Sequence, residues 1–253
     1  GAVTAKGSLI VAAGPDGIFW NKGGKWTTLP GRTMQNVRTV YIAADGHVWV
    51  GTSSGLYILD PSGRKPVVRW GRPDVLLSSN VHDIRALRNG DVAVASTGGL
   101  DIYRGRTRIK SLSSKERIPC RELCAVAQDA DGRIWLPSRI GVVRFDGNRF
   151  RLRHSRRWLL ADDARGVAIG SDGTAWVATA GGVDRADVQA VDRLPRRIRA
   201  GHQHLGDDGG DEGLEALAHG VGEVAQALHV HDDDAREGGA GGADLQHLVQ
   251  LFL

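Results

Sequence analysis

Short apolar runs separated by glycine-bearing turns recur along most of the chain. Residues 45–60 (DGHVWVGTSSGLYILD) set out the unit: a turn, a run of β-favouring or small residues, a second turn, and a second apolar run. An Asp-Gly pair suits a tight hairpin and is expected to supply two positive-φ positions. Near copies lie at residues 89–103 (NGDVAVASTGGLDIY), 131–145 (DGRIWLPSRIGVVRF) and 172–185 (DGTAWVATAGGVDR), with a degenerate copy at 6–19. The first glycines, Gly7, Gly46, Gly90, Gly132 and Gly173, fall at steps of 39, 44, 42 and 41. The second glycines, Gly17, Gly55, Gly99, Gly141 and Gly182, follow nine residues later in four copies and ten in the first. Two glycines held in register through five copies make this a repeat protein.

A period near 40 residues made of short strands, with no helical pattern, points to propeller blades of about four strands. The stretches 37–43, 81–87, 123–128 and 164–169 each begin nine residues before a turn glycine and fit the innermost strand. More polar runs around 67–69, 108–110 and 149–151 fit a fourth, outer strand. The strands are near-continuously apolar rather than alternating, as expected for a blade covered on both faces. Trp49, Trp135 and Trp176 share one register and are expected to pack between blades. The fold class is therefore all-β: a β-propeller of about five four-stranded blades, or an incomplete part of a larger one. The blades are expected near 1–30, 31–70, 71–110, 111–152 and 153–192, within a propeller region of residues 1–195.

The pattern carried by Asn36-Val37-Arg38 and residues 45–57 (DGHVWVGTSSGLY) resembles the two-component regulator propeller repeat of bacterial sensor proteins. The likeness spans roughly residues 7–192. It implies an extracytoplasmic, periplasmic ligand-sensing module, usually followed by a membrane span and a kinase or similar output domain. The repeat is an architectural unit, so it specifies fold more tightly than function.

Composition changes the picture mainly in the last quarter. Residues 200–253 hold eleven Asp and Glu against the single Arg236, a net of −10, which leaves +14 on the preceding residues and +4 overall. Six of the nine histidines lie between His202 and His247. This Gly/Ala/Asp/His-rich stretch, 196–253, is expected to be weakly structured, and a shifted reading frame is the competing explanation. A weak amphipathic pattern covers 212–231, interrupted by Gly213, Gly220 and Gly222. The histidine tracts match no metal-ligand spacing, so no metal or cofactor is expected. No apolar run is long enough to span a membrane. The basic body lacks interleaved aromatics, which argues against a nucleic-acid partner. Cys120 and Cys124, four residues apart on an extended chain, are too distant for a disulfide and read as small buried hydrophobes. A first blade that starts at Gly1 lacks most of an inner strand and reads as part of a longer protein.

No nucleophile elbow, phosphate loop, zinc motif or carboxylate pair is present. Function then rests on geometry. Asp-Gly turns leave minimal loops on one face, while connections of about ten residues can cover the other. Binding sites favour such loops on a rigid scaffold. The second residues of the inner strands, Arg38, His82, Cys124 and Arg165, should ring that upper channel mouth. Trp70, Arg139, Arg157 and Trp158 lie on or beside the surrounding loops. Arginine suits carboxylates and sugar hydroxyls and tryptophan suits a sugar ring, so a small polar or anionic ligand or a glycan is the expected partner. The bland counterpart is a rim whose cations pair with Asp83 or Asp163. A non-catalytic sensor is the leading reading. A propeller lyase or hydrolase resembling the streptogramin lyases, or a protein-interaction scaffold, are the alternatives, and His82 is the one histidine placed for chemistry.

Overall fold

The structure is a computed structural model that describes residues 2–14, 17–28, 34, 36–60, 66–71 and 75–186. The expectations for residues 187–253, including the 212–231 pattern and the histidine tracts, lie outside the described residues. Five antiparallel sheets follow one another along the chain, each built from consecutive strands. The first contains β1 (Ala2–Lys6), β2 (Leu9–Gly14), β3 (Gly17–Lys22) and β4 (Lys25–Thr28). The second contains β5 (Val37–Ile42), β6 (Val48–Thr52), β7 (Gly55–Leu59) and β8 (Pro66–Trp70). The third contains β9 (Val81–Ala86), β10 (Val92–Ser96), β11 (Gly99–Arg104) and β12 (Thr107–Leu112). In the fourth, β13 (Ala127–Gln128), β14 (Ile134–Ser138), β15 (Gly141–Phe145) and β16 (Phe150–Arg153) pair in that order. The fifth has three described strands, β17 (Ala164–Ile169), β18 (Ala175–Thr179) and β19 (Gly182–Ala186). A single 3₁₀ turn at Ser114–Glu116, closed by a Ser113/Glu116 capping box, interrupts the strand pattern among the described residues.

The sheets stack as blades. The first strands of neighbouring sheets touch near the axis: β1 with β5, β5 with β9, and β13 with β17. Each apolar cluster lies between two consecutive sheets. Val11, Ile18 and Trp20 of the first sheet pack on Val40, Val48, Val50 and Tyr57 of the second. Trp49, Leu56 and Ile58 meet Val81, Ile84, Val94 and Tyr103. Ala93, Ala95 and Leu100 meet Leu123, Leu136 and Val143, and Trp135 with Val142 meets Ala164, Ala175 and Val177. Trp49 and Trp135 are the inter-blade wedges that the shared register predicts. Trp176 departs from that expectation. It belongs to the last described sheet, half-buried, with the Arg185 guanidinium 5.9 Å from its ring centroid.

Both turn classes have a physical cause. In the lower turns Ala43 N–H donates to His47 O (2.8 Å) and Gly46 N–H to Ala43 O (3.0 Å), and the same pair of bonds recurs at Leu87, Asp129 and Gly170. Only the glycine takes positive φ there (Gly46, +80°), so these are three-residue loops with a left-handed last residue, not the doubly positive turns expected. In the upper turns the Thr52 hydroxyl donates to Gly55 O (2.9 Å) and accepts from Ser54 N–H (3.0 Å), a device repeated by Ser96, Ser138 and Thr179. Gly55 has φ +146°, and a Cβ there would stand 2.6 Å from Trp70 O. At Gly55, Gly99 and Gly141 the second glycine of the repeat is thus demanded twice, by dihedral and by close approach of the outer strand.

The inner strand of the fourth sheet is the main local departure. A strand over 123–128 is expected; the chain instead makes one bridge, Leu123 to Ser138, and resumes pairing only at Ala127. Pro137 occupies the facing position on β14. It accepts from Cys124 N–H (2.8 Å) but has no N–H to return, so the ladder lapses there.

Replacing Gly55 by alanine combines forbidden φ with backbone overlap and should destabilise the fold by about 2 kcal/mol or more. Gly71→Ala, where a Cβ meets only Ser54 O at 3.6 Å, should shift the urea midpoint far less. Equal losses in the two variants would refute this account of the turn.

Candidate functional site

The antiparallel order fixes the faces. Each inner strand runs from the long inter-blade connection towards an Asp-Gly or equivalent turn, so its first residues lie on the face of the Thr/Ser-x-x-Gly turns. There a second regularity appears. Val37 pairs with Thr52 and Thr39 with Gly51, leaving Arg38 as an extra residue. His82 is extra between Val81 and Asp83 opposite Ser96 and Ala95, and Arg165 is extra between Ala164 and Gly166. In the fourth sheet, 123 pairs with 138 and 127 with 135, so one residue is again in excess, next to Cys124. The residues expected at the mouth are therefore the bulged residues of their strands. A bulge takes a side chain out of the pleat and re-aims it, and bulges concentrate at rims.

Arg38 Nη1 lies 3.1 Å from His82 Nε2. A guanidinium can only donate, so this nitrogen accepts and the ring is neutral with its proton on Nδ1. Burial and the Arg38 charge hold the His82 pKa below its ordinary value, opposed by Glu122 and supported by Arg139. Arg139 Nε stands 3.3 Å from Glu122 Oε1. Cys124 follows, its thiol pushed up by burial and by the Asp163 and Glu122 charges. Asp163 accepts from Arg165 Nη2 at 2.8 Å. Around the mouth the order is thus Arg38, His82, the Glu122–Arg139 pair, Cys124, and the Asp163–Arg165 pair.

Asp83 is not part of this ring. It is 7% exposed and accepts from Thr39 Oγ1 of the second sheet (3.4 Å), Ile84 N–H of its own (2.9 Å), and Val126 N–H of the fourth (3.1 Å). Arg165 pairs with Asp163 as the bland reading foresees, but Arg38 meets His82 instead of Asp83 and has no carboxylate partner among the described residues. Glu122 escaped the sequence reading, although Asn36, Asn80 and Asp163 immediately precede inner strands and Glu122 holds the equivalent place before the bridge residue Leu123. That register places oxygen-bearing side chains beside the bulged Arg38, His82, Cys124 and Arg165.

Trp70, Arg157 and Trp158 stand apart. Trp70 stacks on Tyr103 (5.0 Å) and meets the edge of Trp49 (5.7 Å) between the second and third sheets. Trp158 packs on the cluster between the fourth and fifth sheets, with Arg153 and Arg157 at 5.0 and 5.3 Å from its ring. Cys120 and Cys124 are free thiols, half-buried rather than core, and Cys120 S–H donates to Glu122 O at 3.7 Å. Among the described residues no group of three His, Cys, Asp or Glu is placed to hold a metal, and no helix is long and apolar enough to cross a membrane.

Neither a protein-family model nor a curated protein matches the chain in sequence. Solved structures do match in fold. The extracellular domain assigned to a hybrid two component system of B. thetaiotaomicron superposes with TM-score 0.62 at 18% identity, over 73% of this chain and 27% of that one. A second extracellular domain from the same organism, assigned to a one component system, gives 0.65 at 12% identity, over 79% and 31%. Virginiamycin B lyase from Staphylococcus aureus gives 0.57 at 16%, over 74% of this chain and 66% of that one. The chain thus has the propeller fold of these proteins and spans under a third of the length of the two sensor domains.

Because the folded state disfavours protonation of His82, its contribution is complete above the ordinary value of 6.5 and fades as pH falls through the lowered pKa. Stability should therefore decline on acidification below about pH 6.5, and His82→Gln should flatten that limb. An NMR titration giving an imidazole pKa at or above 6.5 would contradict this geometry.

Proposed function

We propose that the chain is a non-catalytic ligand-sensing propeller module that binds a small polar or anionic ligand, or a glycan, at its upper mouth. The carrying observation is the ring of bulged residues. It turns Arg38, His82 and Arg165 to one rim beside Arg139, with Arg38 free of any carboxylate among the described residues. An incoming carboxylate can take up Arg38, a planar fork pre-aligned by the bulge. The alternating oxygens of Glu122 and Asp163 suit hydroxyl groups on the same ligand. Likeness in fold to extracellular domains of two- and one-component systems supports an extracytoplasmic sensor whose output domain, a kinase or similar, belongs to the same protein.

One observation favours a second reading, a propeller lyase: the fold likeness to virginiamycin B lyase extends over 66% of that protein. Turnover of quinupristin, the compound solved in complex with an inactive variant of that lyase, lost in His82→Ala, would replace the sensor reading by this one.

A thermal-shift screen of carboxylates, sugars and sugar acids, with and without divalent metal, should return ligands of the first class. Arg38→Ala or Arg165→Ala should then weaken binding about tenfold or more, since a hydrogen bond to a charged group contributes roughly 1.5–3 kcal/mol. Arg88→Ala, on a lower turn, should change nothing. Loss of binding in the lower-turn variant with retention in the rim variants would place the site on the opposite face.

A further inference from the structure

A second cationic site lies away from the rim, on the face of the fourth sheet that looks towards the fifth. Arg144 of β15 is 7% exposed, and its Nε is buried with no hydrogen-bond partner. Directly opposite on β16 is Arg151, and on the other side, on β14, is Trp135. Directly opposed residues of an antiparallel pair share a face, and like charges in that relation destabilise the sheet. Neither Arg144 nor Arg151 forms a hydrogen bond or ion pair among the described residues. The Arg144 guanidinium lies 5.6 Å from the Trp135 ring centroid, a contact that uses the π-face and none of its five N–H donors.

The nearby carboxylates are committed elsewhere. Asp129 accepts from Arg133 Nε (2.8 Å) and Trp135 Nε1 (2.9 Å), and Asp146 accepts from the turn amides of Asn148 (3.0 Å) and Arg149 (2.7 Å). A nearly buried, unpaired arginine costs several kcal/mol unless a counter-charge completes it. Burial, followed by the Arg133 and Arg151 charges, depresses its pKa, which registers the same deficit.

We propose that Arg144 and Arg151 form a binding site for a small oxyanion, phosphate, sulfate or carboxylate, distinct from the mouth. The anion takes the free donors of Arg144 and bridges to Arg151, while Arg133, held by Asp129 and Asp131, adds its field without moving.

The test is melting of the full chain in potassium phosphate, sulfate or acetate, with ionic strength held constant by potassium chloride. The wild type should rise in midpoint to a plateau with at least one of these anions, and comparison of the three separates a tetrahedral ion from a carboxylate. Arg144→Met should lose the response and, without added anion, melt about 2–4 °C above the wild type, because the unpaired charge is gone. Arg151→Gln, at an exposed position, should need about fivefold more anion, as for loss of one exposed charge. Lys25→Ala, on the exposed outer strand of the first sheet, should respond as the wild type does. A wild-type response without a plateau means an adventitious ion only and overturns the site. So does a response that survives in Arg144→Met or disappears in Lys25→Ala. Should Arg144→Met fail to fold, an unchanged anion requirement in Arg151→Gln overturns it equally.

Discussion

Contact between sheets is the interaction on which everything else here depends. A middle strand such as β6 or β10 is buried along its whole length, and a sheet built around such strands has two apolar faces and no interior of its own. Its core exists only where a neighbouring sheet is laid against it. The apolar clusters follow that rule, each shared by two consecutive sheets. Burial by neighbours rather than within the unit is the mark of repeat architectures, whose stability is close to a sum of nearest-neighbour terms.

The same packing shapes the mouth. Inner strands of the second to fifth sheets converge near the axis, and each carries an extra residue at its upper end, whereas β1 pairs with β2 without one. The extra residue lengthens one strand of the pair, adds local twist, and turns one side chain out of the inter-sheet face. Polar chemistry at the mouth is thereby separated from the ladder only one residue away, where Thr39, Asp83 and Gly166 resume pairing. Asp83 stitches the two regions together. It carries a bond from the blade before and one from the blade after, so the second, third and fourth sheets are tied just beneath the rim.

Much of this was legible in the sequence. Paired glycines in register located the upper and lower turns, and counting back nine residues found the starts of β5, β9 and β17, and in the fourth sheet the bridge at Leu123. The same counting brought Arg38, His82, Cys124 and Arg165 into line. What escaped it depends on the third dimension or on a single atom. Pro137 lies in an apolar run like any other, yet its missing N–H breaks the strand beside it rather than its own. Trp70 sits near a loop in sequence but stacks on Tyr103, because an outer strand is close to the next blade in space. Arg144 looks like an ordinary charged residue near the end of a strand; only its neighbours show that its charge is nearly buried. Trp176 followed the register of its counterparts, but a register specifies which face a residue takes, not whether a described sheet packs on it.

Building each sheet from one uninterrupted stretch of chain also has a consequence for biosynthesis. A blade can form its hydrogen-bonded ladder as soon as its own forty or so residues have emerged from the ribosome. Its forward face, the one bearing Trp49 in the second sheet or Trp135 in the fourth, then waits uncovered until the following blade arrives. The growing chain therefore always carries one freshly made apolar surface at its leading end, and the pace of translation sets how long that surface stays open to the wrong partner.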